Sequence, residues 1–305
     1  MIGRITNLNG GVYQVDLENG NTIGVKARGK LRSIKMQAVN QKAISKKEDL
    51  RTIKLSPKVG DLVRIDNDMI ADILNRKNEL IRPDISNVDQ ILLVFAAKEP
   101  DFSFYLLDLF IVNITRQNIK PLIVITKIDK LEKMELDELK QKMLYYTNLG
   151  YDVLYVNSKT KEGTEIVAKH LENKITVLSG QTGAGKSTLI NAILPEFELK
   201  TQEISFALGR GKHTTRETTL YAYKGGYIGD TPGFSKLDVL GIAKNELSDL
   251  FVEFKNYHCK FKDCLHQKNA LGCQIKEAYA KQSILSTRYN NYLKMLEQIM
   301  TKEKK

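Results

Sequence analysis

The order of four short motifs constrains this chain more than any other feature of its sequence. A Thr-Lys-Ile-Asp tetrapeptide at residues 126–129 precedes the glycine-rich loop 180–187, and the pair Thr214-Thr215 and the segment Asp230-Thr231-Pro232-Gly233 follow. In the usual arrangement of these motifs the glycine-rich loop comes first and the tetrapeptide last. The ends of a sheet domain often lie close together, so a circular permutation leaves such a pocket intact.

The loop at residues 180–187 fits the Gly-x-x-x-x-Gly-Lys-Ser pattern, whose backbone N–H groups surround nucleotide phosphates. Lys186 is expected to reach the β- and γ-phosphates, and the Ser187 hydroxyl is expected to bind Mg²⁺. Apolar residues 175–178 predict the strand before the loop, and residues 187–194 predict the helix after it, whose amino terminus favours an anion. The predicted phosphate contacts are Gly180, Gln181, Thr182, Gly183, Ala184, Gly185, Lys186 and Ser187.

Residues 126–129 predict which base is bound. An aspartate at the end of a strand, here Asp129, accepts hydrogen bonds from guanine N1 and N2, a donor pair that adenine lacks. Lys127 is expected to pack along the base and the phosphate loop, and Ile128 completes the turn. Asparagine usually stands first in this motif, so we expect Thr126 to loosen one contact that braces the loop. After the next strand, Asn157, Ser158 and Lys159 offer a backbone N–H to guanine O6, although a plain polar loop is the alternative.

The later motifs predict the magnesium ligands. Asp230 is expected to hold Mg²⁺ through water, and the Gly233 N–H to contact the γ-phosphate. Thr214 or Thr215 would complete the metal shell with Ser187 when the triphosphate is bound, and we favour Thr215.

The residue after Gly233 bears on catalysis. It is Phe234, whereas Ras-type enzymes have there a glutamine that orients the attacking water. Phenylalanine has no group for that role, so either turnover is slow or another side chain acts. His213, beside the two threonines, is the candidate catalytic residue. The alternative is that His213 contacts only a partner or solvent.

A cluster of metal-binding residues lies near the carboxyl end. It includes all three cysteines of the chain and consists of Cys259, Cys264, His266 and Cys273. Three thiolates and one imidazole make a closed tetrahedral Zn²⁺ site, which is structural rather than catalytic. His258 competes as a ligand, but it directly precedes Cys259 and adjacent residues rarely both ligate. His266 is therefore the preferred histidine ligand. The alternative is a coincidence of buried thiols.

Periodicity predicts three regions. Turn signals at Gly10-Gly11 and Asn19-Gly20 separate short strand patterns, at residues 12–17, 22–25, 34–39 and 61–65, that suit a small closed barrel. Periodicity does not separate an oligonucleotide-binding (OB) barrel from an SH3-like barrel. Strands at 90–96, 121–126, 153–156, 175–179 and 227–229 alternate with helices at 104–115, 136–149 and 164–172, which predicts a mostly parallel sheet with ligands at its carboxyl edge. Helical patterns at 244–254 and 282–300 follow. The predicted domains are 1–68, 69–238 and 239–305.

Charge is concentrated at the two ends of the chain. Residues 1–60 carry a net charge of +8 and residues 251–305 carry +6, whereas the middle carries −3. Such flanks indicate polyanion binding around a catalytic centre, and a solvated lysine-rich surface is the alternative. A nucleic-acid groove is predicted at Lys26, Arg28, Lys30, Arg32 and Lys35. No apolar run approaches the ~20 residues of a membrane span, no signal peptide begins the chain, and three cysteines fit a reducing compartment, so we expect a cytoplasmic protein without a membrane partner.

Together these motifs resemble the RsgA family of small-ribosomal-subunit biogenesis GTPases, also called YjeQ or YloQ. The resemblance rests on the permuted order, on Gly-Arg-Gly-Lys-His-Thr-Thr at residues 209–215, on Asp-Thr-Pro-Gly-Phe at 230–234, and on the cysteine–histidine cluster. It implies a multidomain chain: an N-terminal OB-fold β-barrel, a central circularly permuted α/β P-loop GTPase domain, and a C-terminal, mostly helical zinc-binding domain.

The resemblance also implies the activity and the partners. The family hydrolyses GTP to GDP and phosphate with Mg²⁺, is activated by the small ribosomal subunit, binds its rRNA, acts late in its assembly and helps to release an assembly factor. We expect a monomer. The family's nucleotide contacts fall on residues 126–129 and extend the phosphate loop to Thr188. Its zinc ligands fall on the cluster named above, and its proposed catalytic histidine falls on His213.

Overall fold

The computed structural model of this 305-residue chain describes residues 1–28, 56–80, 83–194, 218–230, 238–239 and 241–303. The predicted strand at residues 34–39 lies outside the described residues. Within them the chain forms a barrel, a six-stranded sheet covered by helices, and a helical carboxyl-terminal module. No helix in these ranges combines the length and the apolar character needed to cross a bilayer.

Five strands close the amino-terminal barrel: β1 (Ile2–Asn9), β2 (Val12–Leu17), β3 (Thr22–Ala27), β4 (Leu62–Asp66) and β5 (Met69–Ile73). Their order around the barrel is β1-β2-β3-β5-β4, and β4 pairs again with β1. The β3–β5 pair is parallel and the other pairs are antiparallel. Alternate residues such as Val15, Val63 and Ile65 fill the interior because side chains in a strand point to opposite faces. This crossed strand order is that of the OB fold rather than an SH3-like barrel. The domain boundaries stay a prediction, and the last barrel strand ends at Ile73.

A short hairpin joins the barrel to the central sheet; its strands are β6 (Glu79–Leu80) and β7 (Ile85–Ser86). The sheet has the order β10-β9-β8-β11-β13-β12 and is parallel except for β12. Its strands are β8 (Gln90–Ala96), β9 (Lys120–Thr126), β10 (Asp152–Tyr155), β11 (Ile175–Gly180), β12 (Thr219–Tyr223) and β13 (Gly226–Asp230). Every residue of β8 is buried, as its continuous apolar run predicts for a strand covered on both faces.

Among the residues that the structure describes, four helices cover the sheet: α1 (Phe104–Arg116), α2 (Lys133–Asn148), α3 (Thr164–Leu171) and α4 (Lys186–Ile193). Helices α1 and α2 pack on the face that also meets the barrel core, and α3 and α4 pack on the other face. Helix α2 begins before the predicted residue 136 because Glu132 and Glu135 form a reciprocal capping box. The alternation predicted from the sequence is therefore present.

The carboxyl-terminal module contains 3₁₀ helices at Leu247–Leu250 and Val252–Asn256, then α5 (Gln274–Ala280) and α6 (Ser286–Glu303). The predicted single helix over 244–254 is wrong. Phe251 is extended, at φ −96° and ψ 96°, so the segment forms two 3₁₀ turns rather than one helix, and Leu250, Glu253 and Phe254 are all buried. The helix predicted from residue 282 begins four residues later because Gln282 has a φ of +58° and ends the preceding turn.

A buried ionic network joins this module to the central domain. Arg288 of α6 donates to Asp108 of α1 at 2.7 Å and to both carboxylate oxygens of Glu253 at 2.7 and 2.8 Å. The Tyr146 hydroxyl of α2 and the Asn291 side-chain amide of α6 also donate to the Asp108 carboxylate, at 2.8 and 2.6 Å. Burial raises the pKa of the Asp108 carboxyl, and the Arg288 charge opposes that shift.

Candidate nucleotide site and metal centre

The predicted nucleotide motifs meet at one edge of the sheet. Strands β9, β11 and β13 run parallel, and their last residues are Thr126, Gly180 and Asp230. Asn157 follows the end of β10, which lies parallel to β9. Because the carboxyl ends of parallel strands share an edge, the base-reading and phosphate-binding segments lie on the same side of the molecule.

The phosphate loop needs its glycines for two different reasons. A Cβ on Gly180, whose φ is +125°, would lie 2.0 Å from the carbonyl oxygen of Val94, so no side chain fits between β11 and β8. Gly185 is needed for its backbone conformation: it is left-handed, at φ +84°, before α4, and a Cβ there would make only an ordinary contact with Lys127 Cε at 3.8 Å. The Lys186 ammonium donates to the carbonyl oxygens of Gly180 and Gln181 at 3.2 and 2.8 Å.

The hydroxyls predicted beyond this lysine are accessible. Ser187 and Thr188 lie in the first turn of α4, and both are exposed, as are Thr182 and Gly183 in the loop itself. A hydroxyl in that position suits Mg²⁺, which prefers oxygen ligands and retains several waters.

Thr126 braces the phosphate loop directly. Its buried hydroxyl lies 2.5 Å from the carbonyl oxygen of Ala184 and 3.2 Å from that of Phe95. A hydroxyl has one proton, so it donates to one of these carbonyls at a time. The expectation that threonine loosens the bracing contact is wrong, because the hydroxyl reaches the loop backbone.

Lys127 connects three loops. Its backbone is left-handed, at φ +56°, and its ammonium donates to Gly183 of the phosphate loop at 2.8 Å and to the carbonyl oxygen of Glu99. The predicted contact between this side chain and the phosphate-loop backbone is therefore present in the structure.

The Asp129 carboxylate lies at the accessible end of this arrangement. It sits in the 3₁₀ turn Ile128–Lys130, and its side chain is 28% exposed. The Lys159 ammonium lies 3.5 Å from its Oδ2. Lys159 itself is 71% exposed, so this is a weak surface pair that leaves the carboxylate available to a base.

The segment after β10 is shaped by an asparagine. Asn157 is buried, and its Oδ1 accepts from the backbone N–H groups of Lys159 and Thr160 at 3.1 and 3.4 Å. This is an Asx turn, which fixes the local backbone. The Ser158 hydroxyl is buried and has no hydrogen-bond partner among the described residues. A ligand at this edge would meet an ordered turn rather than a loose polar loop.

Sequence reasoning missed a further part of the site, residues 97–103, which we term the strap. The strap follows β8 and covers the phosphate loop: Asp101 O accepts from the Gln181 side chain at 2.8 Å, and a Cβ on Gly183 would lie 3.5 Å from Pro100. The Glu99 carboxylate pairs with Lys130. The available signal was that β8, like its neighbours, must end at the ligand-binding edge.

Several predicted site residues belong to segments that the structure does not describe. His213, Thr214, Thr215, Gly233 and Phe234 lie outside the described residues, as do Lys30, Arg32 and Lys35. Asp230 is described as the last residue of β13, without its side chain. Of the basic barrel residues that are described, Lys26 is exposed on β3, and Arg28 pairs with Asp66 at 2.8 Å.

The cysteine–histidine residues form one compact cluster. The ligand atoms of Cys259, Cys264, His266 and Cys273 all lie within 4.8 Å of one another. Cys259 Sγ is 3.7 Å from Cys273 Sγ, and the two sulfurs lie 3.4 and 3.6 Å from His266 Nδ1. A tetrahedral Zn²⁺ with bonds of about 2.3 Å to sulfur and about 2.0 Å to nitrogen separates its ligands by about 3.5–3.8 Å, so these distances fit the ion. The histidine in the cluster is His266 and not His258.

The surroundings of the cluster hold its loop in place. Two tyrosines of α6 donate to this loop, Tyr289 to His266 O at 2.7 Å and Tyr292 to Leu265 O at 3.0 Å. Burial raises the pKa of the Cys273 thiol to about 12. A bound dication reverses that direction because it favours the thiolate. Three cysteine sulfurs and one imidazole nitrogen are a donor set that suits Zn²⁺.

Fold and site together define a circularly permuted P-loop GTPase with an OB barrel before it and a cysteine–histidine module after it. A family profile described as RsgA GTPase matches residues 73–240. The small ribosomal subunit biogenesis GTPase RsgA of Phytoplasma australiense is 43% identical over 303 residues, covering 97% of this chain and 95% of the relative. The protein of the same name from Bacillus cereus (strain ATCC 14579) is 43% identical over 256 residues, covering 82% and 87%.

Solved structures agree with the sequence relatives. YjeQ from Thermotoga maritima matches with a TM-score of 0.81 at 31% identity, covering 98% of both chains. YloQ, described as a circularly permuted GTPase, matches with a TM-score of 0.78 at 33% identity, covering 99% of this chain and 95% of that one. The chain belongs to the RsgA family of GTPases and is a GTP hydrolase.

Proposed function

We propose that this chain hydrolyses GTP during late assembly of the small ribosomal subunit, that the subunit activates it, and that hydrolysis accompanies release of an assembly factor. The observation that carries the proposal is the meeting of the phosphate loop and the Asp129 turn at one sheet edge, with Thr126 and Lys127 bonded across from one to the other. The relatives, named small ribosomal subunit biogenesis GTPases, supply the context. We propose a cytoplasmic monomer whose partners are the subunit and its rRNA.

Each motif has a proposed role at the nucleotide. Asp129 accepts from guanine N1 and N2, and the Asn157 turn presents an N–H group to O6. The loop from Gly180 to Thr188 surrounds the phosphates, and Lys186 places its charge on the β- and γ-groups.

The residues that hold the metal come from three segments. Ser187, Asp230 and Thr215, or Thr214 in its place, would hold Mg²⁺, which when bound neutralises charge on the phosphates. The Gly233 N–H contacts the γ-phosphate in this proposal. His213 orients or deprotonates the attacking water, because Phe234 has no polar group with which to do so.

Zinc has a structural role in this proposal. The four ligands leave no open coordination position, so the ion would tie the loop 259–273 to the core of the carboxyl-terminal module, in which Cys273 is buried. That loop presents Phe261, which is 50% exposed, with the Lys260 ammonium 5.7 Å from its ring. An exposed aromatic ring among lysines suits stacking on an unpaired RNA base, as the basic residues of the barrel suit phosphates.

The test is the GTPase rate of the full chain measured with and without purified small subunits, with His213→Ala in parallel. We expect strong acceleration by subunits in the wild type and loss of that acceleration in the variant, with nucleotide affinity retained. A rate that subunits leave unchanged would instead indicate a GTP-gated RNA-binding module. Acceleration that survives in His213→Ala would remove the histidine from the mechanism.

A further inference from the structure

The side chain of Gln181, the second residue of the phosphate loop, contacts two segments outside the loop. Its Nε2 donates to the carbonyl oxygen of Asp101 in the strap at 2.8 Å. Its Oε1 accepts from the backbone N–H of Ala96, the last residue of β8, in a longer hydrogen bond of 3.4 Å. One carboxamide therefore joins the start of the phosphate loop both to the end of β8 and to the strap.

The backbone of the same residue lies where β11 leaves the sheet. Strand β11 ends at Gly180, and the Gln181 N–H still donates to the carbonyl oxygen of Val94 at 3.0 Å. The Gln181 carbonyl oxygen accepts from the Ala184 N–H at 3.2 Å and from the Lys186 ammonium at 2.8 Å. The position of Gln181 therefore sets where the loop starts and where the lysine lies.

The strap that receives this side chain is also fixed from its other side. Lys127, which precedes the base-reading turn, donates to the carbonyl oxygen of Glu99 in the strap and to that of Gly183 in the loop. The strap thus lies between the base-reading turn and the phosphate loop. The hydrogen bond from Gln181 to Asp101 is a direct connection from a loop side chain to this support.

We propose that Gln181 is a positioning residue, which holds the first half of the phosphate loop against the strap in the conformation that receives the β-phosphate. The N–H groups of such a loop must face the phosphates together, and ordering the backbone costs conformational entropy. A side chain that fixes the loop beforehand lowers the cost of binding. This inference rests on the proposed placement of the phosphates in the loop, and it requires no contact between the carboxamide and the nucleotide.

A purely structural role for Gln181 makes a different prediction. Its side chain is half-buried, so the two hydrogen bonds also contribute to the stability of the domain. A loss of stability alone would weaken every nucleotide by the same factor. A loss of loop positioning would weaken nucleotides in proportion to their contacts with the loop, so a comparison of ligands with and without a β-phosphate separates the two roles.

The experiment measures displacement of a fluorescent GDP analogue from the full chain by GDP, by GMP and by inosine diphosphate. Gln181→Met keeps the length of the side chain and removes both hydrogen bonds, whereas Gln181→Asn keeps the amide but is too short to reach Asp101. In both variants we expect GDP affinity to fall about three- to tenfold, the range for one or two hydrogen bonds, and GMP affinity to fall less than about twofold.

Inosine diphosphate should weaken by the same factor as GDP, because the base-reading contacts are unchanged. Gln141→Met is the matched control: Gln141 is an exposed glutamine on α2, and its replacement should alter none of the three affinities. Urea unfolding of each variant shows that the chain is folded under the conditions of the titration.

The outcomes separate this inference from the proposed function. If GDP and GMP weaken equally in Gln181→Met, or if neither weakens, Gln181 does not position the loop and the inference is wrong. If Gln181→Asn keeps the GDP affinity of the wild type, the bond to Asp101 is not the source of the effect and the inference is again wrong. If the wild type itself binds GMP as tightly as GDP, the proposed placement of the phosphates fails, whatever the variants show.

Discussion

At the scale of single residues, the sequence predicted the chemistry of the nucleotide edge better than its geometry. Asp129 and Lys127 are where a strand-end motif should place them, because the Thr-Lys-Ile-Asp pattern follows an unbroken buried strand. Thr126 was misjudged, since its type differs from the usual asparagine. A short hydroxyl reaches Ala184 O only because β9 and the phosphate loop approach closely, and such a distance between distant segments cannot be read from one chain.

Asp129→Asn tests the base-reading role. The amide replaces one acceptor oxygen by a donor, so a hydrogen bond from guanine to a charged group is lost, and we expect GDP binding to weaken about 10- to 100-fold. Xanthosine diphosphate carries a carbonyl where guanine has its amino group. It should therefore bind the Asp129→Asn variant more tightly than it binds the wild type. Titration of both nucleotides against the variant and the wild type measures this change in base preference.

Asp137→Asn, an exposed change on α2, is the matched control and should leave both affinities unaltered. An equal loss for the two nucleotides in Asp129→Asn would show that the carboxylate supports the fold rather than reading the base.

At the scale of elements, periodicity predicted most strands and helices where one face is buried. Helix α3 and strand β8 lie within one residue of their expected ends because a single amphipathic or wholly apolar pattern governs each. The prediction of a single helix over 244–254 was wrong because of a long-range contact, which no local pattern shows. Glu253 has to meet Arg288, which lies 35 residues later, so the chain breaks at Phe251 in spite of its helical spacing. The strap was missed for a similar reason, since its contacts with Glu135, Lys130 and Gln181 all reach distant segments.

The strap predicts a test of how the base-reading turn is held. Glu99→Gln removes the ion pair with Lys130, the residue after Asp129. The pair is partly exposed, with 31% of the Lys130 side chain and 66% of the Glu99 side chain accessible, so its contribution is modest and we expect GDP binding to weaken about two- to fivefold. Inosine diphosphate lacks the 2-amino group and depends less on Asp129, so its binding should change less. Parallel titrations of the two nucleotides give the ratio.

Lys98→Met is the control within the strap, because Lys98 pairs with Glu135 of α2 rather than with the base-reading turn. It should preserve the ratio of the two affinities. A uniform loss for GDP and inosine diphosphate in Glu99→Gln would mean that the strap stabilises the domain without positioning Asp129.

At the scale of the whole molecule, the carboxyl-terminal module is fastened to the GTPase domain through α1 and α6. The Asp108 and Arg288 side chains that join them have no accessible surface. The sequence predicted a separate zinc domain, but it did not predict this junction, because Asp108 and Arg288 are 180 residues apart and each alone resembles an ordinary helical surface charge. The described contacts therefore connect the module to the helix that follows the strap.

Arg288→Met measures the strength of this junction. Removing the cation leaves Asp108 and Glu253 buried without a counter-charge, and we expect the free energy of unfolding to fall by about 3–5 kcal/mol. Urea unfolding followed by circular dichroism gives the value. The triple variant Asp108→Asn, Glu253→Gln and Arg288→Met removes all three charges and should be more stable than the single variant. A triple variant as unstable as the single one would contradict the ionic origin of the loss.

Helix α1 belongs to two interiors at once. Phe110 and Ile111 face the sheet, whereas Leu109 and Val112 face the carboxyl-terminal module. A polypeptide that stopped near residue 240 would present those last two side chains to water beside a solitary anionic group at Asp108. The GTPase domain and the cysteine-rich module therefore cannot easily be separated in evolution. Loss of the module would require compensating substitutions on α1, in the middle of the GTPase domain.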